Sequence, residues 1–137
     1  MPHERLLHLL ASAEALLPVV NGSSPPLDNL AGRVIANVFL ENSTRTRCSF
    51  SMAAQRLGAG TIDLLGGTSS SSKGEGLLDT AANIAAMGAD AIVLRCSASG
   101  GAAMVAEQLD LPVINAGDGQ HEHPTQGLLD ALAIVRH

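Results

Sequence analysis

Tryptophan and tyrosine are absent from this chain, and Phe39 and Phe50 are its only aromatic residues. The core must therefore be aliphatic, and the stacking platforms on which proteins hold unpaired bases are missing. A net charge of -5 argues against a polyanionic partner, while leaving room for a small anion held by a local positive cluster. Cysteine is scarce: Cys48 and Cys96 stand apart without CxxC spacing, so neither a zinc site nor a disulfide framework is indicated. Both are expected to be small buried residues. No stretch approaches the ~18 to 20 continuous apolar residues of a membrane span. The leucine-rich N-terminus, interrupted by Glu4, Arg5 and His8, does not read as a signal peptide. The expected setting is a reduced cytoplasm, with no membrane and no nucleic-acid partner.

What is present reads as one soluble globular domain of 137 residues, with 46% apolar and 15% charged side chains. Leu6, Leu7, Leu10, Ala13, Leu16 and Leu17 recur at helical spacing and predict an amphipathic helix that Pro18 ends. A rhythm of strand and helix then begins. Strands are expected at 34–40, 61–65, 90–94 and 112–115, and helices at 44–57, 75–87, 101–109 and 124–136. The strands are short, apolar and not alternating, as in strands covered on both faces. Four strand–helix units in succession predict an α/β fold, a doubly wound four-stranded parallel sheet with helices on both faces. The order 2-1-3-4, with right-handed crossovers, would set strands one and three side by side.

Ligands in such sheets sit beyond the carboxyl ends of the strands, at the switch point. Every polar cluster of the chain falls there. After strand one, Ser43-Thr44-Arg45-Thr46-Arg47 gathers hydroxyls and a guanidinium at a helix start, where free N–H groups and the macrodipole favour an anion. Arg45 adds a planar fork of donors suited to phosphate or carboxylate. An ordinary capped helix with two surface arginines remains the plainer alternative. After strand two comes a Ser- and Gly-rich loop holding Lys73, the only lysine of the chain. It reads either as a linker or as a lid delivering a cation to an anionic ligand.

Arg95 ends strand three. After strand four, the Gly-rich turn Ala116-Gly117-Asp118-Gly119 leads to His123-Pro124-Thr125-Gln126. Pro124 suits the first turn of a helix, and the helix dipole there disfavours a cationic His123, leaving a neutral imidazole able to donate one hydrogen bond. His121 and His123 lack the further ligands a metal site would want, so no metal is expected. No Ser-His-Asp order, GxSxG elbow, Walker lysine or GxGxxG fingerprint occurs. No nucleophile is advertised. The inventory is an electrostatic cradle, suited to transferring an acyl-type group from a phosphate ester or anhydride.

Together these clusters resemble the aspartate carbamoyltransferase family. Residues Phe39 to Phe50 match its FxExSTRTRxSF segment, Ser69 to Glu75 its SxxxKGE loop, and Asn115 to Gln126 its NAGDGxxxHPTQ segment. The resemblance runs from about residue 33 to the end. It implies transfer of the carbamoyl group of carbamoyl phosphate to the amine of L-aspartate, in pyrimidine biosynthesis, without a cofactor. It further implies that Ser43, Thr44, Arg45 and Thr46 hold the phosphate, that Thr46, Arg95 and His123 polarise the carbonyl oxygen, and that Gln126 accepts from the amide. Ser69 and Lys73 would reach into the site of a neighbouring subunit in a homotrimer, and Arg47 would be a structural ion-pair residue. The resemblance leaves room for a regulatory or dihydroorotase-like partner chain. Residues 1–137 would form the carbamoyl phosphate-binding domain, the family's aspartate-binding domain being absent from this sequence. The other readings are a carbamoyltransferase for ornithine or another amine, and a non-catalytic phosphate-binding module.

Overall fold

A computed structural model describes residues 2–66 and 76–136 of the chain. Its elements run α1 (His3–Val20), β1 (Val34–Phe39), α2 (Thr44–Arg56), β2 (Gly60–Leu65), α3 (Leu77–Ala86), β3 (Ala91–Cys96), α4 (Gly101–Gln108), β4 (Val113–Asp118) and α5 (Pro124–Arg136). The sheet has the order β2-β1-β3-β4 with every neighbouring pair parallel, as the strand–helix rhythm predicts.

Side chains alternate across the two faces with the period of two that a strand imposes. On one face Ala36 and Val38 of β1 join Ile92, Leu94 and Cys96 of β3 beneath α3 and α4, which contribute Ala81, Ile84, Ala102 and Val105. On the other face Phe39, Val93 and Ala116 pack together with Ile35 and with Phe50 of α2. The two phenylalanines of the chain are thus neighbours on the α2 face. Arg95 follows Val93 by one period, so its side chain emerges on that same face, at the carboxyl end of the sheet.

Several local expectations give way. α1 continues through Pro18 to Val20. Proline lacks the N–H that would bond back one turn, but only Val19 and Val20 follow, and the Asn21 N–H closes the turn onto the Leu17 carbonyl at 3.0 Å. β3 extends past Leu94, so Arg95 lies within the ladder opposite Phe39, and its carbonyl accepts from the Leu40 N–H at 2.9 Å. β4 extends through Ala116, Gly117 and Asp118, which sequence reading assigns to a turn. A register shift between Leu94 and Cys96 brings Cys96 opposite Asp118 and lets the pairing persist. β2, at the sheet's edge, is largely exposed rather than covered on both faces. Cys96 is buried as expected, whereas Cys48 is exposed on α2.

Candidate active site

β1 and β3 end side by side, and the chain leaves them in opposite directions along the sheet order, β1 toward β2 and β3 toward β4. A cleft of about 1030 Å³ opens beyond this switch point. Ser43, Thr44, Arg45 and Thr46 form one wall at the start of α2. Arg95, His123 and Gln126 form the other, and Phe50, Ala53 and Leu129 supply its apolar part. Seven of the nine site residues expected from sequence therefore line one cavity. The remaining two, Ser69 and Lys73, lie outside the described residues.

Ser43 is the N-cap of α2, but its hydroxyl does not cap a backbone N–H. It donates instead to Thr46 Oγ1 at 2.9 Å. Among the described residues no side-chain cap closes the start of α2, which lines the cleft and carries the positive end of the helix dipole. Arg45 is exposed on this wall. Arg47, on the same turn, points away and pairs with Asp63 of β2. Asp63 also accepts from Asn37 Nδ2 at 2.8 Å, and the fully buried Asn37 donates again to Ser51 Oγ of α2 at 2.9 Å. This chain of polar contacts fastens α2 to β1 and β2 and fixes where its N-terminus points. Arg47 is structural, as expected; Asn37 and Asp63 are positions that sequence reading missed. A polar residue at the centre of an apolar strand was the available signal.

Arg95 is held on its far side, where Nη1 donates to the Ala116 carbonyl at 3.0 Å. Its Nε is buried without a hydrogen-bond partner, and the Glu41 carboxylate stands 3.9 Å away. Nε thus faces Glu41 inside the protein, and it is the guanidinium as a whole that lines the cleft and can offer a planar fork of donors to an anion or a carbonyl oxygen. His123 sits just before α5, with Thr125 Oγ1 3.3 Å from Nδ1. Burial first, and then the positive charge of Arg95, hold its imidazole below the ordinary histidine value of 6.5. The neutral ring expected from the helix dipole is thus obtained by different means. Gln126 donates from Nε2 to Asp130 at 2.9 Å, which leaves its carbonyl oxygen free to accept.

Gly117 lets Arg95 and His123 approach each other within the second wall. At φ +117° it adopts a conformation that other residues avoid, and a Cβ there would lie 2.7 Å from Arg95 Nη1 and 3.5 Å from His123 Cδ2. Beside it Asp118 is buried. Burial pushes its carboxyl up, but hydrogen bonds from Asn115, His121 and the N–H groups of Gly100 and Glu122 outweigh this and bring it to about 2. Among the described residues no three His, Cys, Asp or Glu side chains group as a metal site.

Fold and site define a class: a doubly wound parallel α/β domain with a basic, hydroxyl-rich anion cradle at its switch point. A family model described as "Aspartate/ornithine carbamoyltransferase, carbamoyl-P binding domain" matches residues 1–136. The chain belongs to this family. The aspartate carbamoyltransferase catalytic subunit of Rhizorhabdus wittichii is 51% identical over 135 residues, covering 98% of this chain and 42% of its own length. That of Novosphingobium aromaticivorans is 53% identical over 135 residues, covering 98% of this chain and 39% of its own. Among solved structures, the catalytic subunit of M. jannaschii aspartate transcarbamoylase superposes with a TM-score of 0.89 at 44% identity, over 99% of this chain and 44% of that one. An aspartate transcarbamoylase from Trypanosoma cruzi, solved with carbamoyl aspartate and phosphate, gives 0.87 at 33% identity over 98% and 43%. The chain thus spans about two fifths of the length of the curated relatives it matches.

Proposed function

We propose that this chain forms the carbamoyl phosphate site of an aspartate carbamoyltransferase, which transfers the carbamoyl group to the amine of L-aspartate and yields N-carbamoyl-L-aspartate and phosphate in pyrimidine biosynthesis. The observation that carries this reading is the convergence of the start of α2 with the guanidinium of Arg95 and the imidazole of His123, held below its ordinary titration range, around one cleft.

The phosphate is held by Ser43, Thr44, Arg45 and Thr46 through the N–H groups of the helix start, the Arg45 guanidinium and the hydroxyls, that of Ser43 turning from Thr46 to the ligand. With the Thr125 hydroxyl donating to Nδ1, the His123 proton sits on Nε2, from which it donates to the carbonyl oxygen together with Arg95 and Thr46. Oxygen charge builds there as the amine of aspartate bonds to the carbonyl carbon, and donors already in place stabilise it without reorganisation. The carbon–oxygen bond to phosphate then breaks, and the departing phosphate takes up the proton that the attacking amine gives up while staying within reach of Arg45. The free carbonyl of Gln126 accepts from the carbamoyl NH2 and fixes which way the planar group faces. The reaction asks for no cofactor and no metal, since the developing oxygen charge meets protein donors and the proton of the amine leaves on phosphate.

In the assembled enzyme Ser69 and Lys73 complete a neighbouring subunit's site, so the working unit is a homotrimer. The match of residues 69–75 to the family's SxxxKGE loop supports this. Residues 1–137 constitute the carbamoyl phosphate domain, and the aspartate contacts come from a second domain of the family. No described helix is long and apolar enough to cross a membrane, and a cytoplasmic enzyme fits that and the paucity of cysteine.

Calorimetry on the chain with carbamoyl phosphate and with inorganic phosphate tests the site. The full-length protein, assayed for carbamoyl transfer to aspartate and to ornithine, tests the reaction. Saturable binding of carbamoyl phosphate and transfer to aspartate alone are expected. Binding without transfer to either amine would leave only a phosphate-binding module, and transfer to ornithine would change the acceptor.

A further inference from the structure

Asp118 is a buried carboxylate that the chemistry above does not use. It ends β4 and is 1% exposed. Its Oδ2 accepts from the N–H of Gly100, the N-cap of α4, at 2.8 Å and meets His121 Nδ1 at 3.1 Å. Its Oδ1 accepts from Asn115 Nδ2 and from the Glu122 N–H, both at 3.1 Å. The Asp118 N–H donates back to the Glu122 carbonyl at 3.2 Å, and Asn115 Oδ1 accepts from the Gly117 N–H at 2.9 Å. One carboxylate thereby ties down the whole passage from β4 toward α5.

Both catalytic donors of that wall lean on this passage. Arg95 is held by the Ala116 carbonyl and lies against Gly117, and His123 follows Glu122 directly. We propose that Asp118 is a positioning residue: its carboxylate holds residues 115–122 so that Arg95 and His123 converge on bound carbamoyl phosphate. For its ligand the inference rests on the function proposed above; for the juxtaposition of Arg95 and His123 it rests on geometry alone. An ionised carboxylate only accepts, and four donors converge on it here. An asparagine in the same place must turn its NH2 group against at least one of them.

The test is Asp118→Asn in this chain, with the fold checked by circular dichroism, the His123 ring titrated by NMR and carbamoyl phosphate affinity measured by calorimetry. In the folded variant the His123 titration should move up toward the ordinary histidine value as the ring separates from Arg95. Affinity should fall by about tenfold, the equivalent of one charge-assisted contact. Asp90→Asn is the comparison. It turns an NH2 group against either Arg33 or the Val34 N–H at the opposite end of the strands and removes the charge paired with Arg33, and should lower the melting temperature while leaving both readouts alone. An unmoved His123 titration in folded Asp118→Asn overturns the proposal, whatever the affinity does. Should that variant fail to fold, Asn115→Ala and His121→Ala each remove one donor and should move the titration the same way. If neither does, the proposal is wrong. A wild-type chain that does not bind carbamoyl phosphate overturns the functional reading instead, and the titration still decides the role of Asp118.

Discussion

Arg95 and Gly117 meet where only glycine fits. A Cβ on Gly117 would come within 2.7 Å of Arg95 Nη1 and 3.3 Å of its Cζ, and the backbone φ there is +117°. The glycine is thus the seat against which the guanidinium rests.

Gly117→Ala should accordingly act twice. Backbone strain should lower stability by about 1 to 3 kcal/mol, and displacement of the guanidinium should weaken anion binding. Thermal melts with and without inorganic phosphate separate these effects. The variant should melt lower and gain less from phosphate than the wild type. An unchanged gain from phosphate would mean that Arg95 does not need this seat.

Arg45 and Arg47 are two residues apart and should behave differently. Arg45 is exposed on the cleft wall, so Arg45→Ala should reduce carbamoyl phosphate affinity by about 1.5 to 3 kcal/mol. Arg47 pairs with Asp63, so Arg47→Ala should chiefly lower the melting temperature. Calorimetry and melting of both variants check this, and equal affinity losses would contradict the division of roles.

The titration of His123 offers a third check. Burial and Arg95 hold its folded-state value below 6.5, so the folded chain binds this proton more weakly than the unfolded one. The stability His123 contributes is therefore full above pH 6.5 and is lost as pH falls through the folded-state value. NMR of the ring should show a midpoint under 6.5 without ligand, and a bound phosphate, bringing negative charge, should raise it. A midpoint that phosphate does not move would place the anion away from His123.

Sharing of sites between subunits can be tested by complementation in the full-length protein. Lys73→Ala and His123→Ala proteins should each be inactive. Mixed trimers should regain activity, because some sites take His123 from one chain and an intact Lys73 from the next. Verified mixed trimers without regained activity would exclude sharing.

The sequence makes the sheet and the ligand-facing clusters legible because both depend on local pattern. Apolar runs at strand spacing announce β1 to β4, and the hydroxyls and arginine at the start of α2 stand out against them. What stays illegible depends on partners distant in the chain. β3 and β4 outlast their apolar cores because Arg95 and Asp118, polar enough to suggest strand ends, find hydrogen bonds to Ala116 and Gly100. Pro18 looks like a stop, yet a proline in the final turn displaces little. Asn37 sits in an apolar run with no periodic reason, and only the arrival of Asp63 and Ser51 explains it. The neutrality of His123 can be guessed from its place before a helix, but its main causes, burial and Arg95, require the fold.

The adjacency of β1 and β3 also governs when the cradle can exist. Arg95 lies opposite Phe39, with α2, β2 and α3 all intervening in sequence. Its two walls therefore meet only after a complete crossover has folded back onto the sheet, a long-range pairing that forms slowly. An anion that needs both walls reports on that closure and stabilises it by mass action. During refolding, phosphate should slow unfolding more than it hastens folding, and the cleft should be among the last features of the chain to appear.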